Sequence, residues 1–305
     1  MAKKKLVVGL DLGEDYCTLV ALNPQKNQIE HVATWNESHG RKSALELGEG
    51  LAAWLAERKL DKSIKSVAIS MSGAGAFLRL AEADQEISIE DAARFEARTW
   101  FGCSDEDLWI NAQPHGVGPH NEPGILVGAV RRAMATRVTS VADSAGIPLA
   151  ESNLDIVAAA NAFEANYPSW ADRLVAIVLA GGRSLQIYWT QDRKFLGHAV
   201  LVAQGQNPSD ELSLAGGKAL LEGAGLLRGM ADQLGGVFLC GPLSVETGFA
   251  ARLGSGIKVD VRLLDSFAAL PFPSAESMAE QISELSPKCA SALGLALALS
   301  QGDRP

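Results

Sequence analysis

The sequence predicts an α/β protein made of two like-folded halves, and three observations carry that prediction. The stretches 6–35 and 174–202 each read as three consecutive apolar strands joined by short turns, with glycine in the first turn of each: Gly13 in one, Gly181 and Gly182 in the other. Each stretch is followed by alternating helical and strand patterns, the order expected of a sheet covered by helices. A length of 305 residues suits two domains better than one, and a composition 47% hydrophobic and 21% charged supplies a core for both.

The first half opens on Leu6 to Leu22 (LVVGLDLGEDYCTLVAL), a strand, an Asp-Leu-Gly turn and a second strand. Asn23 to Asn27 turns the chain into a third strand, Ile29 to Trp35. Leu47, Leu51, Trp54 and Leu55 then fall on one face of a helix over Leu45 to Lys59. A strand follows at Ser66 to Met71, then a helix over Ile87 to Phe101 with Ser88 as N-cap and Glu90 and Asp91 in its first turn. Pro114 to Pro123 reads as a loop, Ile125 to Val130 as a strand, and Arg132 to Ala145 as a helix stopped by Gly146 and Pro148. A further helix covers Ile156 to Ala165, with Asp155 as its N-cap.

The turn-rich stretch Asn166 to Asp172 divides the halves, giving domains 1–170 and 171–305. Strands at Leu174 to Leu179, Ser184 to Thr190 and Lys194 to Val202 repeat the opening of the first half. A long helix over Ser209 to Leu234, a strand at Val237 to Cys240, a helix over Val245 to Leu253 and a strand at Lys258 to Leu263 follow. The final helix, Pro287 to Leu299, is free to pack back on the first half.

Composition excludes several function classes. A formal charge of -9 disfavours non-specific binding to nucleic acid or an anionic membrane. The one basic run, Lys3 to Lys5, precedes an apolar stretch too short for a signal peptide, so the expected compartment is the cytoplasm. Cys17, Cys103, Cys240 and Cys289 show no paired spacing and read as reduced thiols. His115 and His120 share a Gly/Pro loop without a third ligand, so no metal site is predicted there.

These segments resemble the actin and sugar-kinase superfamily, and within it the PilM family of type IV pilus assembly proteins. The resemblance spans nearly the whole chain and rests on VGLDLGEDYCTLVAL, SIEDAARFEARTWF, the segment from Gly124 to Phe163, VAIVLAGGRSLQIYW, and VFLCGPLSVETGFAARL with CASALGLAL. It implies an actin-like (ribonuclease H-like) duplicated fold with two facing halves. A small α+β subdomain would be inserted in the first half at about Asp84 to Ile147. It also implies a cytoplasmic scaffold of a pilus or related secretion assembly, held at the inner membrane by docking the cytoplasmic tail of a PilN-like protein. The tail would lie between the inserted subdomain and the main body, with Gly73 to Phe101 as the segment to inspect. The alternative within the superfamily is a working ATP-binding protein, ATPase or kinase. The cytoplasmic part of the secretion protein GspL is a third reading, disfavoured by the lack of a membrane-spanning stretch.

Phosphoryl transfer from ATP and Mg2+ needs backbone donors, a metal and carboxylates. The nucleotide cleft implied by the resemblance comprises Asp11, Gly13, Gly181, Gly182 and Gly241. Gly13 would let backbone N–H groups approach a phosphate, but Glu14 and Asp15 stand in the same turn. At about 5 Å and an effective dielectric near 20, each such carboxylate costs on the order of 3 kcal/mol against a phosphate charge. The second catalytic Asp, due near Leu179, is absent, and the adenosine turn reads Gly241-Pro242, where proline removes a donor. The expectation is a degenerate cleft with no catalytic residues. Each residue also has a plain structural reading: Asp11 as a strand-end turn residue, Gly181-Gly182 as a hairpin turn, Asp155 as a helix N-cap where the resemblance implies contact with a metal through water, and Phe95, Trp100 and Phe101 as core rather than a partner surface.

Overall fold

A computed structural model describes residues 5–13, 15–36, 42–82, 87–117, 123–226, 234–255, 257, 259–271 and 279–302. Glu14, Asp84 and His120 lie outside them.

The duplication is visible strand by strand. In the first half β1 (Leu6–Leu12), β2 (Tyr16–Asn23) and β3 (Gln28–Asn36) form an antiparallel meander, and β4 (Ile64–Met71) and β8 (Leu149–Leu154) add parallel strands beyond β1. The sheet order is β3-β2-β1-β4-β8. The second half repeats it as β11-β10-β9-β12-β13. Here β9 (Leu174–Ala180), β10 (Ser184–Gln191) and β11 (Lys194–Val202) form the meander, and β12 (Leu234–Cys240) and β13 (Val261–Leu263) run parallel to β9. The central strands β1, β2 and β9 are buried on both faces, which is why they read as continuous apolar runs.

Helices close both faces of the first sheet. On one side α1 (Ala44–Glu57), opened by a capping box of Ser43 and Glu46, packs with α3 (Arg132–Ala145). On the other lies α4 (Asp155–Asn166), whose buried residues go right round the helix because it is wedged between the halves. Its Phe163 meets Phe238 of β12, with ring centroids 4.7 Å apart. The last helix, α8 (Ala290–Gly302), packs against β1 and α4 of the first half.

A third sheet, ordered β5-β7-β6, comes from β5 (Ala76–Glu82), β6 (Leu108–Val117) and β7 (Pro123–Arg131). Helix α2 (Ile89–Phe101) covers one face, with Ser88 capping it as predicted and Gly102 ending it at φ 61°. The small sheet begins at Ala76, upstream of the expected Asp84, and α3 belongs with α1 rather than with this sheet.

Several elements differ from expectation. β5, β6 and β8 are strands that the sequence did not announce, and the expected loop at Pro114 is the end of β6. β6 is an edge strand, where proline costs no ladder bond. The helix predicted to reach Leu234 is α5 (Pro208–Leu226), and Leu234 opens β12. The helix expected from Val245 is a 3₁₀ turn, Pro242–Val245, followed by α6 (Phe249–Gly254). A short α7 (Ala279–Leu285) and a 3₁₀ turn precede α8.

Candidate functional site

Two concave regions meet at the end of β4. The first is the cleft between the halves, a cavity of about 450 Å³ that Gly13, Tyr16, Asp155, Gly181, Gly182 and Gln186 help to line. Asp11 lies beneath it, 2% exposed. Parallel pairing of β1 and β4 brings Ser70 beside Asp11, and the Ser70 hydroxyl donates to Asp11 Oδ1 at 2.6 Å. Tyr16, half-buried, donates its hydroxyl to Asp11 Oδ2 at 3.2 Å. Its ring lies over Gly13, where an added Cβ would fall 2.1 Å from the ring. Gly13 is thus required, and the space it creates is filled by a side chain of the same turn.

Asp155 is the residue whose role the sequence most misled. Leu154 is the N-cap of α4, and Asp155 is the first helical residue, buried and turned into the cleft. Its Oδ1 accepts from the N–H groups of Ile156 at 2.7 Å and Gly73 at 2.8 Å. Gln186 Nε2 of β10 donates to Oδ1 at 3.1 Å and Oδ2 at 3.0 Å. Burial, with the nearby Asp11 charge second, pushes the Asp155 carboxyl from 3.8 to about 7. Burial also raises Asp11, against the lowering effect of Ser70 and Tyr16.

The second half contributes no acid at the expected place: Leu179 lines the cleft, 3% exposed. An added Cβ on Gly182 would sit 3.5 Å from an Asp15 carboxylate oxygen, so an acid of the first turn faces the glycine turn of the second. Arg183, also in the lining, donates to the carbonyls of Ala203 and Gly205 at 3.1 and 3.2 Å. Gly241, at φ 92°, packs on the Ala180 backbone and gives its N–H to the Pro287 carbonyl at 2.9 Å. The structure therefore gathers Asp11, Gly13, Gly181 and Gly182 around one cavity and leaves Gly241 spent on a structural contact. The cradle over Gly13 holds a tyrosine ring, and the oxygens of both carboxylates are engaged by protein donors. Among the described residues no group of three or more His, Cys, Asp or Glu could hold a metal ion.

A stability prediction follows from Asp155. A carboxyl whose folded-state pKa exceeds its unfolded value keeps its proton longer when folded, so stability is lost as pH rises from about 4 to about 7. Asp155→Asn keeps an acceptor for Gly73 and cannot ionise. Chemical denaturation should find the variant more stable at pH 8, on the order of 4 kcal/mol from about 3 pH units at about 1.4 kcal/mol each, and level with wild type near pH 4. An equally steep decline in both proteins would assign the pH dependence elsewhere.

The second region is a groove of about 750 Å³ between the small sheet and the main body. α2 occupies one face of that sheet, and the other face, carrying Leu78, Leu126, Gly128 and Val130, forms one wall. The opposite wall is β8 and the start of α4, through Asn153, Leu154 and Val157. Both β6 and β8 are edge strands and both line the groove. The expected segment Gly73 to Phe101 supplies only Leu78 and Arg94; β6 and β8, which the sequence did not announce, share most of the remaining lining with the predicted strand β7, Met71, Arg132 and Val157. Phe95 and Trp100, expected in the core, are each 63% exposed.

The repeated sheets with α4 between them define an actin-like ATPase fold. Comparison with solved structures places the chain within it. It is similar to the PilM–PilN type IV pilus biogenesis complex, with TM-score 0.79, 20% identity, and coverage of 98% of this chain and 99% of that one. A Bacteroides thetaiotaomicron protein with an actin-like ATPase fold matches at TM-score 0.55 and 12% identity, over 92% of this chain and 96% of that one. The cytoplasmic domain of EpsL, an inner membrane component of the type II secretion system of Vibrio cholerae, matches at TM-score 0.53 and 9% identity, over 98% and 96%. No family model and no curated protein matches the sequence.

Proposed function

We propose that this chain is a non-catalytic scaffold of a type IV pilus or related secretion assembly, docking the cytoplasmic tail of a PilN-like inner-membrane protein. The observation that carries this reading is the groove between the small sheet and β8. Its apolar floor and two open strand edges suit an extended peptide, which can add main-chain hydrogen bonds to an edge and seat side chains in a pocket. The likeness to a PilM–PilN complex supports the same choice. No helix among the described residues is long and apolar enough to cross a membrane, so the association with the inner membrane is assigned to the partner. The cleft is read as a degenerate nucleotide site. Tyr16 and Asp15 occupy the two glycine turns, and the second half lacks its acid.

Calorimetry tests both parts. A synthetic peptide of the cytoplasmic tail of the single-pass membrane protein encoded beside this chain should bind with micromolar affinity. ATP with Mg2+ should give no binding heat. If no neighbouring tail binds, the docking reading fails; micromolar ATP binding that Asp11→Ala abolishes would sink the degenerate-cleft reading.

A further inference from the structure

The cleft and the groove share a wall. Met71 lines both cavities. At the junction of β8 and α4, Leu154 and Val157 line the groove while Asp155, between them in sequence, lines the cleft. Directly after Met71, one 3₁₀ turn (Gly73–Gly75) carries the chain into β5 and so into the small sheet. Gly73 is buried in that turn and donates its N–H to Asp155 Oδ1. A Cβ at Gly73 would lie 2.1 Å from Gln186 Oε1 and 2.9 Å from Asp155 Oδ1, so any side chain there displaces the two groups that meet at this bond. Gln186, 2% exposed, reaches the same carboxylate from the second half, and its Oε1 has no partner. One buried carboxylate thus ties together the hinge of the small sheet, the first turn of α4 and strand β10.

We propose that Asp155 is a positioning residue for the docking groove: through the Gly73 N–H it sets the small sheet over β8 and α4, coupling the cleft to the groove. The coupling is reciprocal, so a tail that holds the small sheet in place also holds the Gly73–Asp155 bond. The small sheet also meets the second half where β5 and the Gly73–Gly75 turn pack on β11, and where His115 Nε2 lies 2.9 Å from the Phe195 carbonyl. Among these contacts the Gly73–Asp155 bond is the one that joins the hinge to the buried wall of the cleft. The consequence for docking rests on the scaffold reading; the hinge geometry does not.

Hydrogen exchange and calorimetry on the full chain separate the two. Losing the acceptor of a buried N–H should raise exchange of amides 73–78 by about 10-fold or more in Asp155→Ala. It should weaken binding of the tail peptide by a similar factor. Asp155→Asn retains an acceptor oxygen and should stay within about 3-fold of wild type in both. Wild-type exchange at the hinge in a folded Asp155→Ala overturns the proposal. Should that variant not fold, Gln186→Met removes the clamp from the second half; faster hinge exchange supports the coupling and unchanged exchange overturns it. A peptide that fails to bind wild type ends the docking reading, and the exchange data still decide the role of Asp155.

Discussion

Gly128→Arg should abolish tail docking and leave the fold intact. Gly128 sits in β7, the central strand of the small sheet, opposite Leu78 on one side and Asn111 on the other. Glycine in a strand interior ordinarily weakens it, and here nothing in the fold demands it: an added Cβ would meet only the tip of Leu78, at 3.9 Å. The room above it belongs to the groove. An arginine there extends a long, charged side chain over an apolar floor, and a docked peptide would have to displace it or bury its charge. The expected loss is about 100-fold or more in affinity, near 2.7 kcal/mol, with a denaturation midpoint close to wild type. Gly128→Ala is the control, since a single methyl leaves most of the groove open. Wild-type affinity in the arginine variant would move the docking site off this face.

That contrast also marks how far the sequence was legible. The two meanders could be read because β1, β2 and β9 are mainly apolar runs closed by turns with Gly or Asn, and β10 follows the Gly181-Gly182 turn, a purely local signal. β5, β6 and β8 could not. The first alternates imperfectly (AFLRLAE), the second contains Pro114, and the third (LAESNL) is a polar edge strand whose identity comes from pairing with β4. Those strands supply about half of the groove's lining, so its place was expected only in outline. Asp155 follows the same rule. Before an apolar helix an Asp reads as a cap, and its engagement by Gly73 and Gln186, 82 and 31 residues away, is a tertiary fact with no local trace. Tyr16 has no local mark either, since the turn's sequence shows only its charges. Its ring could be placed over Gly13 only once the hairpin register was known.

Gly294→Ala should be among the most damaging single-methyl changes in the chain, against the sign that helix propensity alone predicts. In an exposed helix interior, Gly to Ala gains about 1 kcal/mol. Gly294 is in α8, where a Cβ would lie 1.7 Å from the Ala158 carbonyl oxygen of α4, a backbone atom that cannot rotate aside. The opposite side of α8 is equally tight, since a Cβ on Gly9 of β1 would fall 1.9 Å from the Ala292 carbonyl oxygen. α8 is therefore held between β1 and α4 with no direction in which to retreat. Accommodating the methyl means separating α8 from α4, which opens voids beside Ala158, Leu295 and Ala296, all buried at 1% exposure or less. Overpacking of a well-filled core costs about 1–3 kcal/mol where neighbours can adjust, and more where backbone must move. Here the clash outweighs the propensity gain, and a net loss of about 3 kcal/mol is expected in urea denaturation. Against a total stability on the order of 10 kcal/mol, that loss falls on the contact that binds the last helix to the first half. Gly9→Ala should behave alike, and the two together should add less than fully, because the first displacement of α8 relieves the second contact. A Gly294→Ala variant as stable as wild type would show that α8 has slack against α4, and the close packing of the two halves would need another basis.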